Sequence, residues 1–158
     1  MEQTVQTSQT SVRHKTFTYS TQVEWVGGRA GITRSEGKQE FRVASPPEFK
    51  GEKGVWTPED LLVAAVNSCM MTTFMSFAGR LKLPVVSYTS SAEGTLEFVE
   101  DGHLFTKVTI RPAIIVERDA LVEQARKALN DAHEKCLIKN SLRSAVIVEP
   151  IIHSLESR

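Results

Sequence analysis

The sequence predicts a small α+β fold. Three observations carry that expectation. The first half alternates apolar and polar residues with a period of two, in short runs punctuated by glycine. A charge-free stretch of 18 residues, "LLVAAVNSCMMTTFMSFA" (61–78), follows a helix-start signal. A hairpin, an amphipathic helix and a final strand complete the chain, without an internal repeat.

The elements follow in order. Residues 1–14 are polar, rich in Gln, Ser and Thr, and are expected to be a frayed tail. "FTYSTQVEWVG" (17–27) sets Phe17, Tyr19, Val23 and Trp25 on one strand face. "GGRAG" (27–31) is a turn, and Ile32–Ser35 and Gln39–Ala44 are short strands. "SPPEFKGEKG" (45–54) is a loop. Thr57 can cap a helix, Pro58 suits its first position, and Glu59 and Asp60 favour its positive end. That helix should run from about Pro58 to about Leu81, before Pro84. Thr89–Glu100 and His103–Val116 form a hairpin around Asp101–Gly102. A second helix begins near Asp119, with Leu121, Ala125, Ala128, Leu129 and Ala132 as its apolar stripe and Cys136 at its end. "SAVIVEPII" (144–152) closes as one strand. The expected order is βββ-α-ββ-α-β, in a single domain over 15–158.

Composition narrows the function. The chain has 158 residues, 41% hydrophobic and 24% charged, with 19 basic residues against 19 acidic ones. A balanced chain offers no electrostatic reason to expect nucleic acid or an anionic membrane as partner. The first 15 residues lack the apolar core of a signal peptide, and two cysteines suit reduced thiols, so a cytoplasmic location is expected. Segment 61–78 has the length of a membrane span. It also holds Asn67, Ser68, Thr72, Thr73 and Ser76, which fits a helix buried in a protein core better. A helix apolar on every face must be covered on every face. One sheet and one partner helix can hardly do so, and a second copy of the chain supplies the missing cover.

The two thiols can be read in two ways. Cys69 lies among apolar residues, where a cysteine fills a core or, beside a cation, acts as a nucleophile. Cys136 lies in polar "AHEKCLIKNS", at the negative end of a helix, and is expected to be the less acidic thiol. A metal set of Glu59, Cys69, His133 and Cys136 has neither CxxC nor HExxH spacing, so no metal or other cofactor is expected.

"WTPEDLLVAAVNSC" (56–69), followed some sixty residues later by "AHEKC" (132–136), resembles the OsmC/Ohr family of organic hydroperoxide reductases. "GEKG" (51–54) is similar to the osmotically inducible branch, and "GGR" (27–29) to the organic hydroperoxide resistance branch. The mixture fits a third branch. Two departures are Thr57 for the common Asn and Leu137 after Cys136, where the family usually has Pro. The resemblance implies an intertwined homodimer with shared active sites. It implies Cys69 as peroxide-attacking thiol, Cys136 as resolving thiol, Arg29 beside the thiolate and Glu59 orienting that arginine. Arg42 is the alternative to Arg29. A small dithiol or a lipoylated protein would be the reductant.

The chemistry asks for these residue types. A thiolate in an apolar pocket needs a compensating charge, and arginine stays charged when buried. Trp56, Met70, Met71, Phe74 and Phe77 are candidates for an apolar mouth that favours alkyl peroxides. The other reading is a non-catalytic stress-response or small-molecule-binding protein that uses the same cavity. The acidity of Cys69 discriminates the two.

Overall fold

The computed structural model describes residues 15–100 and 102–157. The expected tail, 1–14, and Asp101 of the expected turn lie outside them. The expected domain packs as two compact units, divided between Val55 and Trp56.

The first unit is a three-stranded antiparallel sheet, ordered β1 (Gln22–Gly27), β2 (Ala30–Arg34), β3 (Phe41–Ala44). β1 starts at Gln22, later than its alternating pattern suggests. The ladder ends at the Gln22–Arg34 pair, so Phe17 and Tyr19 precede the strand and are exposed. Gly27 and Gly28 take φ of +116° and +53° in the β1–β2 turn, which glycine adopts without a Cβ clash. The Trp25 indole N–H donates to the Gly28 carbonyl over 3.0 Å. The loop after β3 contains a short 3₁₀ turn, Pro47–Phe49, started by the prolines. Gly51 closes it against Ser45, so tightly that a Cβ there would lie 1.6 Å from the Ser45 carbonyl oxygen.

The second unit holds the core. α1 (Pro58–Arg80) opens with a capping box: Thr57 accepts from the Asp60 amide, and Asp60 accepts from the Thr57 amide. It closes with a Schellman motif, in which Lys82 takes φ of +51° and the Leu83 amide reaches the Ala78 carbonyl over 2.9 Å. β4 (Val85–Val99) and β5 (Gly102–Val116) form a long antiparallel hairpin. α2 (Val122–Lys135) buries Ala125, Ala128, Leu129 and Ala132, the expected stripe.

Two features depart from the sequence reading. A short helix, α3 (Leu137–Asn140), follows Cys136 directly. The last segment makes two strands, β6 (Ala145–Val148) and β7 (Ile151–Ser154), both parallel to β5. Pro150 has no N–H to donate, and the ladder breaks there.

α1 buries one stripe: Val66, Met70, Phe74 and Ala78, spaced every four residues. They pack against Val108, Ile110, Ile114 and Val116 of β5 and the apolar stripe of α2. α1 is long and apolar enough to cross a membrane, yet only 22% of its most apolar window is buried within this chain. Met71 and Met75 stay exposed.

Candidate active site

Cys69 sits midway along α1 at the edge of the buried stripe, half-buried and packed against the core. Thr73 is one turn further on the same helix, with its Oγ1 3.9 Å from Cys69 Sγ. Cys136 has no exposed surface. Its φ of −63° and ψ of 114° end α2 and begin α3, so the chain turns at the sulfur-bearing residue itself. This turn brings both thiols and the first amides of α3 together. The α3 backbone lowers the pKa of both thiols, Ile138 and Leu137 that of Cys69, Lys139 and Ile138 that of Cys136.

The two thiols influence each other and titrate in opposite directions. Burial works against a Cys69 thiolate. Hydrogen bonds from the Ile138 amide, the Cys136 thiol, the Thr73 hydroxyl and the Leu137 amide outweigh it, and the Cys69 pKa falls below the ordinary thiol range. Cys136 is pushed up, first by burial and then by the neighbouring Cys69 sulfur, against the lowering effect of the Lys139 and Ile138 amides. Cys69 is therefore the acidic thiol and Cys136 the less acidic one. Burial and the neighbouring Cys69 sulfur, rather than the end of α2, push Cys136 up.

A cleft of about 520 Å³ is lined by Thr72, Thr73, Ser76, Phe77, Arg80, Lys135 and Leu137, the sequence neighbours of Cys136 among them but neither cysteine itself. The Arg80 guanidinium lies over the Phe77 ring, 5.5 Å from its centroid. Of the residues expected at an apolar mouth, Phe77 lines this cleft. Met70 and Phe74 have no exposed surface and belong to the core instead, because they fall on the stripe that faces β5. Trp56 and Met71 are exposed.

The other expected site residues sit as follows. In the first unit, the Arg29 guanidinium donates to the Phe49 carbonyl over 2.6 Å. Arg42 makes two hydrogen bonds to the Glu52 carboxylate, at 2.5 and 3.0 Å. In the second unit, Glu59 Oε2 is buried and has no hydrogen-bond partner among the described residues. His133 Nε2 lies 3.0 Å from the Val146 carbonyl oxygen, which draws the ring toward β6. No three metal-ligating side chains gather among the described residues.

Sequence reasoning missed the α3 amides, Thr73, Arg80 and Lys135. Thr73 was legible in principle, being four residues after Cys69 on a helix. The amides carry no side-chain signature at all.

The chain is similar to several known proteins. A family model described as OsmC-like protein matches residues 51–150. The uncharacterized protein YmaD of Bacillus subtilis is 23% identical over 126 residues, covering 77% of this chain and 84% of YmaD. The structure of an OsmC-like protein of unknown function from Vibrio cholerae superposes with a TM-score of 0.79 at 28% identity, covering 86% of this chain and all of that one. An organic hydroperoxide resistance protein from Legionella pneumophila superposes at 0.71 and 23% identity, covering 89% of this chain and 99% of that one.

Proposed function

The chain belongs to the OsmC-like protein family, and from that premise we propose that it is a thiol-dependent peroxidase acting on organic hydroperoxides. One observation carries the reading: a half-buried, acidified Cys69 on α1 and a buried, less acidic Cys136 at the α2–α3 junction that influence each other's titration.

The Cys69 thiolate attacks one oxygen of the hydroperoxide. The O–O bond breaks, a proton accompanies the leaving alkoxide, and an alcohol departs. Cys69 becomes a sulfenic acid. Its negative charge is then gone, and with it one influence that kept Cys136 protonated. Cys136 loses its proton and attacks the Cys69 sulfur, forming a disulfide and releasing water. A small dithiol or lipoylated protein reduces that disulfide by exchange and is itself oxidised. This cycle suits the cytoplasm, where thiols are kept reduced.

The working unit in this reading is a homodimer. The exposed faces of α1 need cover, which a second copy provides. The unpartnered Glu59 oxygen needs a cation, for which Arg29 is the first candidate and Arg42 the second. A Glu59 and a Cys69 on one helix are roughly 15 Å apart along its axis, so an arginine between them is met most easily by the Glu59 of the other subunit.

Stoichiometric oxidation tests the function. One equivalent of cumene hydroperoxide should convert reduced protein to a Cys69–Cys136 disulfide by peptide mass spectrometry, faster than hydrogen peroxide does. Thiols that stay reduced would overturn the reading.

A further inference from the structure

The cleft along α1 is charged, and its charge is unused. Arg80 of α1 and Lys135 at the end of α2 both line it, and among the described residues no acidic side chain does. Neither cation forms a salt bridge to a described residue. Two unpaired cations in one concavity of a neutral chain favour an anion there. The Arg80 guanidinium leans back toward the start of its helix and lies over Phe77, 5.5 Å from the ring centroid. Phe77 and Leu137 give the cleft an apolar wall, and Thr73 and Ser76 give it hydroxyls. Its volume of about 520 Å³ suits a small molecule. Thr73 joins the cleft to the thiol chemistry: the side chain that lines it stands 3.9 Å from Cys69 Sγ. Phe77 lies further along the same helix, about 12 Å beyond Cys69 on its axis. A ligand in the cleft can thus set a reacting group near Cys69 and an anionic end at Arg80.

We infer that Arg80 and Lys135 form a carboxylate subsite for the thiol reductant, so that this reductant is a free acid and not a lipoyl group held in amide linkage. Arginine offers paired N–H donors that match a carboxylate, and the lysine adds a second charge. An uncharged alkyl hydroperoxide makes no use of two cations. A dithiol with a carboxylate at the far end of a hydrocarbon chain uses the cations and the apolar wall together. The redox step rests on the peroxidase reading. Cys136 has no exposed surface and Cys69 is half-buried, so an external thiolate meets the Cys69 sulfur. Its attack forms a mixed disulfide, breaks the Cys69–Cys136 bond and releases Cys136 as a thiolate, which takes up a proton. The reductant's second thiolate then attacks its own sulfur in the mixed disulfide. Cys69 leaves as a thiolate, and the reductant departs as a cyclic disulfide, having passed two electrons to the protein.

Dihydrolipoate and dihydrolipoamide test it, being the acid and the amide of one dithiol. The protein is first oxidised with diamide, without peroxide. The return of the Cys69 and Cys136 thiols is then followed by iodoacetamide quench and peptide mass spectrometry. The acid should reduce the wild type about tenfold faster than the amide at low ionic strength, and the ratio should shrink in high salt. Arg80→Gln and Lys135→Gln, both at exposed positions, should each cut the acid-to-amide ratio about threefold. Equal rates in the wild type, or a ratio that survives in the double variant, overturn the inference. A carboxylate preference confined to the peroxide step gives the cleft to the peroxide and overturns it too. Should diamide form no disulfide, maleimidohexanoate and maleimidohexanamide decide on the reduced protein. The acid should alkylate Cys69 faster, and only while Arg80 and Lys135 are present; equal rates overturn the inference. An acid preference in a protein inert to hydroperoxides would sink the peroxidase reading and leave the carboxylate subsite standing.

Discussion

Thr73 Oγ1 lies 3.9 Å from Cys69 Sγ, one turn along α1, and its hydroxyl supports the thiolate. Thr73→Val keeps the shape and removes the donor. Cys69 should then be less acidic, and its reaction with peroxide at neutral pH roughly two- to tenfold slower. Stopped-flow rates across pH check this: the curve should move to higher pH and keep its plateau. A lower plateau with no shift would instead point to a packing role.

The wild-type pH profile follows from the direction of the Cys69 shift. Its thiol titrates below the ordinary range, so the thiolate forms earlier as pH rises. The second-order rate with cumene hydroperoxide should increase with pH and level off before about 8.5, the pKa of a free cysteine. A rate still climbing through that value would mean that burial wins over the hydrogen bonds.

The two cysteines should fail differently. Cys69→Ser should abolish peroxide consumption. Cys136→Ser should still consume about one equivalent, then over-oxidise at Cys69 or await an external thiol. Intact-mass spectrometry after one and ten equivalents distinguishes these outcomes. Full turnover by Cys69→Ser would refute the proposed mechanism.

A shared site predicts complementation. Cys69→Ser and Glu59→Gln proteins, unfolded and refolded together, should yield heterodimers in which one site carries both lesions and the other neither. Peroxidase activity should partly return. No recovery in proven heterodimers, or a fully active monomer by light scattering, would exclude sites built from two chains.

Gly51 bears on stability rather than chemistry. A Cβ there would overlap the backbone of Ser45, which cannot yield as a side-chain tip can. Gly51→Ala should break the Glu52 amide bond to the Ser45 carbonyl and disturb the Arg42–Glu52 pair. The cost should be about 2 kcal/mol or more, seen as a lower Tm.

Local signals were legible in the sequence and non-local ones were not. Thr57, Pro58 and Asp60 announce the start of α1 because a cap is built from neighbouring residues. The stripe Ala125, Ala128, Leu129 and Ala132 is legible because one helix face repeats. Phe17 and Tyr19 alternate as strand residues do, but a strand needs a partner, and β2 ends opposite Gln22. Met70 and Phe74 share a run with Cys69, and only the packing against β5 tells core from mouth. The break at Cys136 splits a continuous helical pattern, so α3 and its amides were hidden with it.

The parallel attachment of β6 and β7 also constrains how the chain is made. Their partners on β5, Lys107–Ile110 and Ala113–Val116, are synthesised well before residues 145–154. During translation β5 can pair with β4, but its other edge keeps a row of free N–H and C=O groups until the ribosome reaches β7. That edge carries Val108, Ile110 and Ile114, an attractive template for another nascent chain. Stalled or truncated products that end after α3 should therefore be the species that aggregate or engage chaperones, while the finished chain seals its own edge.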